Sequence, residues 1–89
     1  MDILTDLQNL AIAAHQQTGI PTRYSCFTTE LGGHLIYHVG IIIMPHDGEP
    51  WSMRGSSSQF LTPGELTLED LRDQLAAWIP ENRKPQEAA

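Results

Sequence analysis

"GGHLIYHVGIIIMP", Gly32 to Pro45, is the most apolar run of the chain, and its periodicity decides the fold. Read with a period of two, Leu35, Tyr37, Val39, Ile41 and Ile43 point one way. His34, Ile36, His38, Gly40, Ile42 and Met44 point the other. Val39 and the isoleucines at 41, 42 and 43 are β-branched, stiff at χ1 and better suited to a pleated surface than to a helix. The run is therefore predicted to be a strand from His34 to Met44, with the odd set as its core face. The even set begins polar and ends apolar. Its far half, Ile42 and Met44, is expected to be covered by a partner or by returning chain, and both histidines lie on its open half.

The same periodicity limits the chemistry. On a helix, His34 and His38 would share one face and reach a single ion, as in helical His-x-x-x-His zinc sites. On a strand they stand about 13 Å apart at about 3.3 Å per residue and cannot chelate one metal. His46 or Asp47 would have to fold over one of them, but "PHDGEP" reads as an Asp-Gly turn between two prolines. No metal site, cofactor or catalytic residue is predicted.

Outward from this strand, "TRYSCFTTE" has strand composition, and Leu31-Gly32-Gly33 can turn it into the central run as a hairpin. Before the Ile20-Pro21 break, residues 2–18 set Ile3, Leu4, Leu7, Leu10, Ala11 and Ala14 on one helical arc, stopped by Gly19. Ile12 is the one large apolar residue on the opposite arc, among Thr5, Asn9 and Gln16. Downstream, Trp51 to Arg54 is predicted to be a third strand, and Gly55 to Ser58 to bulge, turn or fray. "RGSSSQF" is neither a Gly-x-Ser-x-Gly nucleophile elbow nor a phosphate-binding loop, which needs Gly-Lys-Ser or Gly-Lys-Thr.

"LTLEDLRDQLAAWIP" carries the clearest helix signal: Thr67 as N-cap, Asp70 three residues on, and Leu66 with Leu71 as a hydrophobic staple. A helix is predicted over Thr67 to Ile79, burying Leu68, Leu71, Leu75, Trp78 and Ile79. Pro80 follows, and residues 81–89 lack the apolar content to pack, so the domain is taken as 1–80 with a frayed tail. Glu69, Asp70 and Asp73 lie on the outer arc, near Glu65 in the preceding turn. Acids in a first helical turn also match the helix dipole.

The expected fold is thus α+β in two layers, ordered α-β-β-β-α, with a three-stranded antiparallel sheet and both helices on one face. This order resembles that of double-stranded RNA-binding domains. Those domains present lysines at the start of the final helix, where this chain reads "LTLEDLRDQL".

Composition narrows the function further. With 89 residues the chain has room for a single domain, near the small end of what one core supports. Five basic residues against eleven carboxylates give a net charge of -6, which repels phosphate backbones and anionic membranes. No direct nucleic-acid or membrane binding is expected. Cys26 is the only cysteine, which excludes an intrachain disulfide. With no basic leader and no membrane-length apolar run, the chain points to the cytoplasm.

These features predict a non-enzymatic domain that binds another protein. The sharper form of that expectation is an inhibitor or adaptor of phage or mobile-element type, whose acidic surface competes with nucleic acid for a basic partner, as anti-CRISPR and anti-restriction proteins do. The expected partner-binding residues are Glu65, Glu69, Asp70, Asp73, Ile36, His38, Ile42 and Met44. The alternative is a homodimeric scaffold or chaperone-like module that uses its second sheet face for self-association. A small hydrolase using His34, His38 or His46 ranks third.

Overall fold

The computed structural model describes residues 2–83. Helix α1 (Ile3–Thr18) is followed by strands β1 (Thr22–Leu31), β2 (His34–Ile43), β3 (Trp51–Ser56) and β4 (Glu65–Thr67), then helix α2 (Leu68–Asn82). The fold is α+β. The strands form one sheet in the order β1-β2-β3-β4.

Local chemistry explains the boundaries. Asp2 caps α1 by accepting from the Leu4 N–H at 3.0 Å, and left-handed Gly19 ends it by donating its N–H to the His15 carbonyl at 2.9 Å. The buried stripe of α1 is Leu7, Ala11, Ala14 and Thr18. Two of these are alanines, which let the helix approach its neighbours closely. β1 and β2 are joined by Gly32 and Gly33, both at positive φ, so the two-residue turn matches the twist of the hairpin. Their ladder runs without interruption from Leu31↔His34 to Thr22↔Ile43. At the far end, Thr67 accepts from the Asp70 N–H at 3.1 Å and opens α2 as its capping pattern predicts.

The sheet departs from the expected three antiparallel strands. Glu65–Thr67 adds a fourth, parallel to β3 through Arg54↔Glu65, Gly55↔Leu66 and Ser56↔Thr67. Three residues are too few to show alternation, and the last of them also caps a helix. The Thr62-Pro63-Gly64-Glu65 turn delivers β4, with Gly64 at positive φ and the Glu65 N–H donated to the Thr62 carbonyl at 3.0 Å.

Gly55 and Ser56 do not fray. They are buried and complete β3, which therefore extends beyond Arg54. A Cβ on Gly55 would sit 2.9 Å from Leu71 Cδ2 and 3.2 Å from Leu71 Cβ, so the missing side chain is what lets α2 close on the sheet. Helix α2 also passes through Pro80, to Asn82, instead of stopping at Ile79. A proline this close to the end costs one hydrogen bond, and the Asn82 amide and Arg83 guanidinium hold the terminus by donating to the Trp78 carbonyl (2.9 Å) and to Gln17 (2.8 Å). The rest of the expected tail, 84–89, lies outside the described residues.

One core results. Val39, Ile41, Ile43 and Met53 from the sheet pack with Leu7, Ala11 and Ala14 of α1 and Leu68, Leu71, Leu75 and Ile79 of α2. Both helices therefore lie on the odd face of β2. That face is not core throughout, because Leu35 is 55% exposed and Tyr37 only half-buried. β3 pairs with β2 from His38 to Ile43, and the hairpin past Tyr37 projects beyond the helices, lengthening the molecule to 56 Å. Trp78 is half-buried at the edge of the core, its ring 6.4 Å from that of Trp51. No helix among the described residues is long and apolar enough to cross a membrane.

Candidate protein-binding face

The even residues of β2 face away from both helices, and Gly40 lies midway along them, between Ser25 of β1 and Arg54 of β3. Glycine weakens a central strand, so its place there calls for a reason. A Cβ at Gly40 would lie 3.1 Å from the Ser25 hydroxyl, which leans over the vacant position and donates to the Gly40 carbonyl at 3.4 Å. The missing side chain leaves a shallow groove of about 330 Å³. Phe27 and His38 wall it on one side, Ile42 and Ser52 on another, and Arg54 and Glu65 close the third.

Phe27 and His38 are direct partners in the ladder, and their rings stack with centroids 4.7 Å apart and planes 12° from parallel. His38 Nε2 lies 2.8 Å from the Thr29 hydroxyl, the diagonal neighbour on the same face. The imidazole is thus held by a ring on one side and a hydroxyl at its tip. It presents a rigid, half-buried wall. Phe27 itself is 62% exposed.

The residues expected to bind a partner do not form one patch. Glu65, His38 and Ile42 meet in the Gly40 groove. Ile36 lines a separate hollow with Leu31, His34 and Phe60 near the hairpin tip. Met44 stands beyond the end of β2, exposed, its N–H donated to the Pro21 carbonyl at 2.9 Å. Glu69 borders a third depression beside Asp2 and Tyr37, where α2 starts near the beginning of α1. Asp70 and Asp73 are exposed on α2, and Asp73 is paired with Arg72 at 3.3 Å. Glu65 thus belongs to the open sheet face, while the three helical acids belong to the element packed on the opposite face.

The serine run has a structural use for every hydroxyl. Ser56 accepts from the Ser58 N–H (3.0 Å), Ser57 from the Tyr37 N–H (2.9 Å) and Ser58 from the Phe60 N–H (3.0 Å). Ser57 also donates its own N–H to the Tyr37 carbonyl at 3.0 Å, so it prolongs the β2–β3 ladder by one residue. His34 is exposed at the hairpin tip, and His46 is exposed in the β2–β3 connector.

Phe27, Gly40, Ser25 and Arg54 are members of the groove that periodicity alone did not single out. The signal for Gly40 was the gap it makes in the even set of an otherwise bulky strand. Phe27 and Arg54 required the strand register. Comparison with known proteins found no family model, curated protein or solved structure that matches the chain.

Proposed function

We propose that this is a non-enzymatic protein-binding domain whose uncovered sheet face receives an apolar side chain of a partner in the Gly40 groove. The observation that carries this reading is the groove itself: a side chain omitted at the centre of the sheet, apolar walls from Phe27 and Ile42, and polar groups from His38, Arg54 and Glu65 at its edge. Aromatic and aliphatic anchors entering such pockets dominate binding energies, while the charged rim sets orientation. The net charge of -6 and the acids at the start of α2 favour a partner with a basic surface, by raising the rate of encounter. An inhibitor or adaptor that competes with nucleic acid for such a surface is the specific form of the proposal.

The test is affinity capture with tagged wild-type protein and with Gly40→Val, which fills the groove with a residue suited to strands. The expected result is a specific basic protein retained by wild type and lost with Gly40→Val, while the variant still melts cooperatively. Glu69→Lys with Asp73→Lys should weaken the same complex, and wild-type affinity should fall as salt rises. Equal capture by Gly40→Val and wild type would remove the groove from the reading. Salt-independent capture would remove the acidic contribution.

A further inference from the structure

The two edges of the sheet differ in a way that bears on self-association. β4 is three residues long, begins with Glu65 and runs directly into Glu69 and Asp70. β1 is ten residues long, has no proline, and pairs on one side only. Its ladder to β2 is unbroken, so no bulge twists the edge away. Natural sheets protect such edges with prolines, lysines, bulges or a covering element, and among the described residues β1 has none of these.

Hydrogen-bond parity shows which groups are free. Met44 donates to the Pro21 carbonyl, and the tight turn closes on Leu31↔His34, so odd positions 21–31 bond to even positions of β2. Tyr37 fits the same parity, since its N–H and carbonyl turn towards Ser57 on the β3 side. The N–H and carbonyl groups of Thr22, Tyr24, Cys26, Thr28 and Glu30 therefore point outward. Charge fits as well. In a chain of net charge -6, β1 carries one cation, Arg23, and one carboxylate, Glu30, and none between them. It is the edge at which two copies can meet without opposing their acids.

We propose that β1 pairs antiparallel with β1 of a second copy, making a continuous eight-stranded sheet across a two-fold axis. A two-fold perpendicular to the sheet keeps both helical layers on one side and pairs residues of the same face. Centred on Cys26, it sets Cys26 opposite itself, Tyr24 opposite Thr28, and Phe27 opposite the small Ser25. The helical layer supports the same join. Ile12, the apolar residue on the outer arc of α1, is 50% exposed and borders a hollow with His15, Thr22 and Tyr24, where α1 meets the β1 edge. A second copy arriving at that edge covers it. The argument does not rest on the Gly40 groove, although Phe27 and Ser25 border both that groove and the proposed seam.

The experiment is light scattering of wild type, Thr28→Pro and Cys26→Lys, with thermal melts of each. Thr28→Pro removes an outward N–H and leaves the β1–β2 ladder intact, a position where an edge strand accepts proline. Cys26→Lys opposes two like charges on the axis and keeps every backbone donor. Wild type is expected at twice the monomer mass and both variants at the monomer mass, with cooperative melts retained in at least one. Gly40→Val should remain dimeric, which separates this result from that of the groove. A monomeric wild type, or folded variants that stay dimeric, would each overturn the proposal.

Discussion

The two halves of β2 share one alternating pattern and meet different fates. From Val39 to Ile43, the odd residues are enclosed by both helices, and Ile41 has no exposed surface. From His34 to Ile36, the same alternation continues in a two-stranded arm with no helix over it, and Leu35 is more than half exposed. Alternation states which side chains share a face. Whether that face is core depends on how far the neighbouring layers reach, and here α1, α2 and β3 all stop short of the hairpin tip.

This contrast can be tested by substitution along the strand and beneath it. The largest effect is expected at the root of the hairpin and the helix that covers it. Ile41→Ala and Leu71→Ala each remove a fully buried side chain and should cost about 2–5 kcal/mol in denaturant unfolding, a large share of the stability of so small a domain. A loss under experimental error at either position would mean that the layers are not packed as described.

Gly55 should come next. Enlarging it drives a side chain into Leu71, and Gly55→Val should destabilise by about 1–3 kcal/mol, the usual cost of overpacking, with Gly55→Ala milder. If Gly55→Val were neutral, the close approach of α2 to β3 would not be a constraint. The smallest effect belongs to the distal arm. Leu35→Thr places a β-branched residue suited to strands at an exposed position and should change stability by no more than about 0.5 kcal/mol. Hydrogen exchange should sharpen the comparison, with amides near Leu35 exchanging through local opening and those near Ile41 only through global unfolding. Equal protection of the two would erase the distinction.

Much of the framework was legible from local chemistry. The Thr67 cap, the Gly19 stop, the Gly32-Gly33 turn and the apolar arcs of both helices act within a few residues of themselves, so their sequence signals suffice. β4 was not legible, because its three residues gain strand character only from pairing with Arg54–Ser56. Nor was the order at Gly55 and Ser56, whose Gly-Ser composition suggests a loop until a helix presses on it. Pro80 stayed helical for a similar reason: the end of α2 is held by its own Asn82 and by Gln17 of α1, a contact 66 residues away in the chain.

The candidate site shows the same division. His38, Ile42 and Gly40 were assigned to one face by the period of the strand alone. Their grouping with Phe27, Arg54 and Glu65 depended on register across four strands, and the separation of Glu65 from Glu69, Asp70 and Asp73 depended on β4 joining the sheet before the chain turned into α2. The sequence by itself determined the two helices, the hairpin, the acidic charge and the single cysteine, since each rests on composition or on spacing within one element. The tertiary structure decided which half of β2 is core, where the groove lies and which edge is left unpaired. Burial, register and edge exposure are relations between elements distant in the chain, and no local pattern encodes them.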